Sequence, residues 1–169
     1  MTQSLRKASF PLVADADTRL LVLGSLPGEK SLAAGEYYAN RGNHFWRLMA
    51  LVTGEDLPAL PYDDRLAALL RRGIGLWDVI ADATRAGSLD SAIRDPRVRD
   101  LTAVAQSLPT LRAIAFNGGT AARLGLLQLG PAAESYEIIR LLSSSGACAV
   151  TTAVRHADWL RLRLFVSTD

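Results

Sequence analysis

What most constrains this chain is the stretch from Leu20 to Trp46, LLVLGSLPGEKSLAAGEYYANRGNHFW. Leu20 to Leu23 is a short apolar run stopped by Gly24, the pattern of a strand buried on both faces in a parallel sheet. Gly24-Ser25-Leu26-Pro27-Gly28 then imposes a tight turn, with two residues free to take positive φ and one whose φ is fixed. Beyond it lie paired aromatics, Tyr37 and Tyr38, and a polar knot, Asn40-Arg41-Gly42-Asn43-His44, that leads into Phe45-Trp46. A loop rich in aromatics and amides at the end of a buried strand is where an open α/β sheet seats its ligand. The same aromatics could also simply cap the core.

The rest of the chain alternates in the same way. Residues 1 to about 18 read as an extended lead-in, with Phe10-Pro11-Leu12-Val13 lying on the core. Phe45, Trp46, Met49 and Val52 recur at spacings of three and four, which predicts a helix from about Asn43 to Thr53, ended by Gly54. Asp63-Asp64 opens a second helix and Arg71-Arg72-Gly73 closes it. Gly75 to Ile80 is a second strand carrying Asp78, and Asp82 to Asp95 reads as loop. Asp95-Pro96 starts a helix through about Ser107, proline being suited to a first helical position. Leu111 to Phe116 is a third strand, and Asn117-Gly118-Gly119-Thr120 turns into a helix through Leu127. Glu137 to Leu141 is a fourth strand, followed by a serine-rich loop and a last helix from about Val150 to Phe165, with Val154, Leu160 and Leu164 on its apolar stripe. Four strands alternating with helices imply an α/β fold, a mainly parallel four-stranded sheet with helices on both faces. At 169 residues the chain reads as a single domain, 1–169, with no repeat or linker.

Composition excludes several classes of function. The one cysteine, Cys148, allows no internal disulfide and no cysteine-ligated metal site, and two histidines, His44 and His156, are too few for a histidine-based one. We therefore expect no metal. The N-terminus lacks the apolar core of a signal peptide and no apolar run is long enough to span a bilayer, so the expected location is cytoplasmic, with no membrane partner. Net charge is only +2, compatible with nucleic acid without identifying it. All but Lys7 and Lys30 of the 19 basic residues are arginine, which suits bidentate phosphate recognition and equally suits a compositional bias.

In a parallel sheet the carboxyl ends of the strands share one edge, so the first turn, Asp78, Asn117 and the Ser143–Ala147 loop should converge there. Such a pocket holds aromatic rings, amides, hydroxyls and a carboxylate, without a Ser–His–Asp or Cys–His set. His44 reads either as a base or as a packed structural group beside Phe45. Cys148 has no cationic neighbour in sequence and reads as a small buried residue rather than a nucleophile. GSLPG is not a dinucleotide fingerprint and no phosphate-loop GxxxxGK[ST] occurs, so the sequence gives little support to a nucleotide cofactor.

GSLPG followed by EYYANRGNHFW, then GIGLWDV with AGSLDSAIRD, then IAFNGGTAA and a LxSxSG-type loop resembles the uracil-DNA glycosylase superfamily, closest to its hypoxanthine (deoxyinosine) branch. The matches run in order over Leu20 to Ala149, and the YYxxxxNxFW block is the most specific of them. The resemblance implies a three-layer α/β/α sandwich and a monofunctional, cofactor-free DNA glycosylase of base excision repair, acting as a monomer. Its partner would be DNA containing a deaminated base, and it would hydrolyse the N-glycosidic bond of that base, flipped from the stack.

Within that resemblance Tyr38 matches the aromatic that stacks on the base. Many members hold the attacking water with an Asp or Asn two residues after the leading Gly of the first motif. Here that position is Leu26, which cannot. Asn43 matches the asparagine that the deoxyinosine branch is thought to use instead, and it also reads as the cap of the following helix. Asp78 stands where uracil-specific relatives carry a base-reading Asn; a carboxylate accepts only, which suits N1–H of hypoxanthine and, less selectively, N3–H of uracil. Asn117 and Ser25 complete the base-binding set. Ser143, Ser144, Ser145, Gly146 and Ala147 form the DNA-binding loop, Ser143 to Gly146 replacing the His- or Asn-led motif of the uracil enzymes and Ala147 standing where relatives carry a wedge. Lys30 reads as solvated, which argues against a lyase. The alternatives are a uracil- or mismatch-specific glycosylase, and a DNA-lesion-binding protein of weak catalytic power.

Overall fold

Two sheets share the chain in the computed structural model, which describes residues 5–168. In chain order the elements are β1 (Lys7–Ala8), β2 (Leu20–Gly24), α1 (Glu29–Ala34), α2 (Phe45–Thr53), α3 (Tyr62–Arg71), β3 (Ile74–Asp78), β4 (Ile80–Arg85), β5 (Ile93–Val98), α4 (Leu101–Ser107), β6 (Ala113–Asn117), α5 (Gly119–Leu129), β7 (Glu137–Leu141) and α6 (Thr152–Leu160). Short 3-10 turns occupy Leu57–Ala59, Asp90–Ala92, Gly130–Ser135 and Arg161–Phe165.

The four-stranded sheet has the order β3-β2-β6-β7, and every pairing in it is parallel. Its strands fall where the apolar runs predict, within two residues at each end. Alternate side chains of β2 enter opposite halves of the core, as the two-residue period requires. Leu20 and Val22 pack with Phe45, Met49, Leu69 and Trp159, whereas Leu21 and Leu23 pack with Phe116, Leu101, Ala122 and Leu129. Helices thus cover both faces, and each fully buried leucine contributes roughly 1.5–3 kcal/mol. The three-layer α/β/α sandwich expected from the sequence is the fold observed.

The second sheet, β1-β4-β5, is antiparallel, and it corrects the reading of residues 82–107. Asp82 to Asp95, read as loop with at most a helical turn, is loop only at its tip, where the turn is the 3-10 turn Asp90–Ala92: β3 ends at Asp78, and β4 begins two residues on as one arm of a ribbon that returns through β5. Asp95-Pro96 opens no helix but lies in β5, where Asp95 takes φ 49°. β5 is an edge strand, so the missing N–H of Pro96 costs the sheet little. The helix starts instead after Asp100, whose side chain accepts the Ala103 N–H at 3.1 Å. Of the extended lead-in, residues 1–4 lie outside the described residues; the remainder supplies β1 and an antiparallel bridge from Val13 to Leu76. α1, after the first turn, had no sequence counterpart.

The last helix also differs. α6 stops at Leu160, and the expected stripe faces outward, with Val154 52% and Leu164 83% exposed. Its buried face is Arg155, Trp159 and, beyond the helix end, Leu162, an i, i+4, i+7 series. The arginine hides that series because its buried guanidinium serves backbone carbonyls of the preceding loop. Among the described residues no helix is long and apolar enough to cross a membrane.

Candidate active site

At the carboxyl edge of the parallel sheet, the first turn, Asp78, Asn117 and the serine loop surround a cavity of about 360 Å³, within the range of small-ligand pockets. Tyr38, Asn43, Ser25, Ser143, Ser144, Ser145 and Ala147 also line it; Gly146 does not. The structure therefore brings together nearly every residue singled out in the sequence. Gly146 instead packs against the polar knot, where a Cβ on it would stand 2.8 Å from the Gly42 carbonyl oxygen.

The floor is a tight polar junction. A Cβ on Gly24 would fall 2.7 Å from Asp78 Oδ1 and 2.8 Å from the Tyr38 hydroxyl, so only glycine lets both groups approach the end of β2. Asp78 is 3% exposed, and its Oδ2 accepts a 2.6 Å hydrogen bond from the Ser9 hydroxyl. Burial raises its carboxyl to about 6; the Ser9 bond and the charges of Arg99 and Arg85 pull it down, and Asp90 pushes it up. The Tyr38 hydroxyl is raised as well, by burial first and then by Asp78. Tyr38 has φ 55°, a costly conformation for an aromatic residue that is held here by its surroundings. Its ring stacks on Phe45 with centroids 3.9 Å apart and planes 17° apart. Phe45 in turn abuts Trp159 edge to face, so the stacked pair is braced from the core.

One hydrogen-bonded chain joins four of the predicted side chains. Asn117 Nδ2 donates to Ser144 Oγ at 2.8 Å and to the Tyr38 hydroxyl at 3.2 Å, and Asn117 Oδ1 accepts the Ser144 N–H at 2.9 Å. Ser144, 1% exposed, passes its own hydroxyl proton to Asn43 Oδ1 at 2.8 Å, and that oxygen also accepts the Phe45 N–H at 2.9 Å. Asn43 thus caps α2 and joins the network with a single atom, as its two sequence readings allow. Both amide hydrogens of Asn117 are engaged within the protein.

The serine loop is held from beneath. Leu142 donates its N–H to Asp158 Oδ2 at 2.7 Å and accepts the Trp159 indole N–H at 2.9 Å. Arg155, 4% exposed, donates to the carbonyls of Ser143 and Cys148. Ser143 and Ser145 accept backbone N–H groups within the loop, the local turns that serine favours.

His44 does not line the cavity: its Nδ1 lies 2.9 Å from the Arg47 guanidinium, and burial followed by Arg155, Arg47 and His156 holds the imidazole below its usual range. It is half-buried outside the cavity, on the Arg47 side of α2. Cys148 is half-buried at the cavity wall rather than hidden in the core. Lys30 borders the cavity but is exposed. Among the described residues no cluster of His, Cys, Asp and Glu could hold a metal ion.

Sequence reasoning missed one wall. Ser88, Leu89, Asp90 and Ser91, at the tip of the β4–β5 ribbon, line the cavity, and Asp90 Oδ1 accepts the Ser25 hydroxyl at 2.6 Å. Buried Arg85 ties the ribbon to the first turn by donating to the carbonyls of Leu26, Pro27 and Gly87. The polar AGSLDS run was visible in the sequence, but nothing in its pattern said which way the chain would fold it.

A family model described as Uracil DNA glycosylase superfamily matches residues 10–164, spanning the parallel sheet, the β4–β5 ribbon and every wall of the cavity. The chain belongs to that superfamily. It is 39% identical over 155 residues to a protein named hypoxanthine DNA glycosylase from Methanosarcina barkeri, covering 92% of this chain and 96% of that one. A protein of the same name from Methanosarcina acetivorans is 40% identical over 153 residues, covering 90% and 95%. Among solved structures, the solution structure of a protein provisionally described as a uracil DNA glycosylase, from M. acetivorans, superposes with a TM-score of 0.83 at 39% identity. That match covers 95% of this chain and 99% of that one.

Proposed function

We propose that this superfamily member is a monofunctional DNA glycosylase of base excision repair that hydrolyses the N-glycosidic bond of deoxyinosine and releases hypoxanthine. The observation that carries this reading is the meeting of Tyr38, Asn43 and Asp78 around one cavity, supported by two relatives of that name at about 40% identity. Extraction of a base costs a few kcal/mol, which a stacking face and hydrogen bonds to the base edge must offset. Tyr38 provides the face, stiffened by Phe45 behind it. Asp78, ionised above about pH 6, accepts from N1–H of hypoxanthine and opposes the N1 lone pair of unmodified adenine. Ser25 and Asn117 border the base, Asn117 by orienting Tyr38 and Ser144.

Departure of the base leaves positive charge on the sugar, and Asn43 orients water toward C1′ through Nδ2, since Oδ1 is occupied by two donors. The Ser143–Ala147 loop grips the flanking phosphates through the backbone N–H groups that its own turns leave unused, contacts that position the strand without reading sequence. The enzyme works on DNA as a monomer, without metal or cofactor, and in the cytoplasm.

The deciding experiment incubates the protein with labelled single and double strands containing inosine, uracil or xanthine, followed by alkaline cleavage of abasic sites. Release from inosine that falls by roughly 10²–10³ in Asn43→Ala supports the reading. Full activity in that variant overturns the mechanism, and release from uracil in preference to inosine overturns the substrate.

A further inference from the structure

Hydrolysis of a glycosidic bond asks two things of the wall facing the sugar: negative charge against an oxocarbenium-like centre, and an acceptor for the proton of the attacking water. Asn43 supplies neither. It is uncharged, and its one acceptor atom already takes the Phe45 N–H and the Ser144 hydroxyl. The side chain of Leu26, in the first turn, has no polar atom.

Three carboxylates border the cavity, Glu29, Asp78 and Asp90. The Glu29 side chain is 60% exposed and pairs with Lys7 at 3.1 Å. Asp78 sits at the floor beside the Tyr38 hydroxyl, bound by Ser9, where the base edge is read. Asp90 differs from both. It reaches from the ribbon tip onto the hydroxyl of Ser25, the residue directly before Leu26, and only its Oδ1 is engaged there. Among the described residues its Oδ2 has no hydrogen-bond partner. Although exposed, Asp90 lines the same cavity as Tyr38 and Asp78, and its charge acts on both.

We propose that Asp90 is the carboxylate of the reaction, delivered from the ribbon to the place where the first turn carries Leu26. The proposal rests on the glycosylase reading and adds to it the group that faces the sugar. The C1′–N bond breaks with its electron pair leaving on the base, and the water oxygen bonds to C1′. The water proton passes to Asp90 Oδ2 and from there to solvent, while the departing base takes up a proton from solvent. Asn43 Nδ2 holds the same water from its other side. Ser25 is the positioning residue that aims the carboxylate.

The test uses two DNA duplexes with abasic-site analogues, one a pyrrolidine carrying a positive ring nitrogen and one an uncharged tetrahydrofuran. The unmodified protein binds the cationic site at least about tenfold more tightly, because a transition-state charge mimic gains from a facing carboxylate. Asp90→Asn keeps an oxygen for the Ser25 hydroxyl and removes the charge; it abolishes the preference and slows single-turnover release by roughly 10²–10³. Asp90→Ala, which also removes the tether, loses the preference to the same degree. No preference in the unmodified protein, or an equal preference in Asp90→Asn, overturns the proposal. So does a loss confined to Asp90→Ala, which would assign Asp90 to the tether alone. An Asp90-dependent preference in a protein that releases no hypoxanthine would sink the substrate reading and leave this one standing.

Discussion

The two sheets meet at the cavity and contribute to it in opposite ways. Every residue of β2, β3 and β6 is buried, and the polar groups at their ends are buried with partners: Asp78 on Ser9, Asn117 on Ser144. In β5 every residue after Ile93 is exposed, and so is the ribbon tip from Ala86 to Asp90. That ribbon is fixed to the first turn by a few polar ties, Ser25 to Asp90, Glu29 N–H to Ser88, and Arg85 to the turn carbonyls. A floor built into the core can hold a base within tenths of an ångström, because packed interiors do not deform continuously. The wall on an exposed ribbon can be reshaped without unfolding the protein. Substitutions that disturb the floor's geometry or its hydrogen bonds should therefore change release or stability far more than substitutions in the ribbon's sheet.

Within the floor the largest effect belongs to Asn43, where α2 meets the hydrogen-bonded network. Asn43→Ala should cut hypoxanthine release by roughly 10²–10³ in single-turnover assays. Loss of the cap on Phe45 N–H should cost only about 1 kcal/mol of stability in urea denaturation. Activity falling much further than stability marks a group that serves chemistry first; the reverse proportion would make Asn43 a cap alone.

Asp78 should separate function from stability in the other direction. Burial lifts its carboxyl from an ordinary 3.8 to about 6, so the folded state is favoured while the group is protonated. The penalty for ionising it accumulates as pH rises from about 4 to about 6 and is complete above that. Asp78→Asn removes the penalty: it should stabilise the protein by about 3 kcal/mol at pH 7 and hardly at all below pH 4, read from denaturant midpoints at both values. The same change removes the anionic acceptor for N1–H and should lower the ratio of hypoxanthine to adenine release. In the unmodified protein that ratio should fall as pH drops through about 6. A variant less stable at pH 7 would show that the Ser9 bond outweighs burial.

Gly24→Ala probes the floor's geometry directly. Its Cβ would overlap both Asp78 Oδ1 and the Tyr38 hydroxyl, and overpacking of this kind costs roughly 2 kcal/mol. Release should fall with it, since Tyr38 must move off its stack on Phe45; a fully stable, fully active variant would mean that the floor yields.

The same contrast governs what the sequence revealed. The floor was legible because buried parallel strands are written as unbroken apolar runs, and their polar ends, Asp78 and Asn117, stand out against them. The aromatic block was legible by its resemblance to the superfamily. The ribbon was not. β4 buries Ile80, Ala83 and Arg85, and register shifts between Ile80 and Asp82 and again between Asp82 and Thr84 break the two-residue period that announces a strand. Pro96 then suggested a helix start where an edge strand runs. Arg85 and Arg155 were invisible as core residues for a shared reason: each is buried to bond backbone carbonyls of a loop that forms only in the folded chain.

The smallest effect is expected in the ribbon's outer ion pairs, away from its tip. Asp82 on β4 pairs with Arg6 at 2.5 Å and with Arg97 at 3.7 Å, and all three side chains are at least partly in water. Ion pairs in that setting contribute about 0–1 kcal/mol and weaken with salt. Asp82→Ala should therefore lower stability by about 0.5 kcal/mol, an amount that shrinks as ionic strength rises, and should leave hypoxanthine release unchanged because Asp82 does not line the cavity. A loss above about 2 kcal/mol, or a large drop in release, would mean that the ribbon's outer ion pairs transmit to the Ser25–Asp90 tie. Floor and ribbon would then be one mechanical unit, and the freedom to reshape the wall independently would be gone.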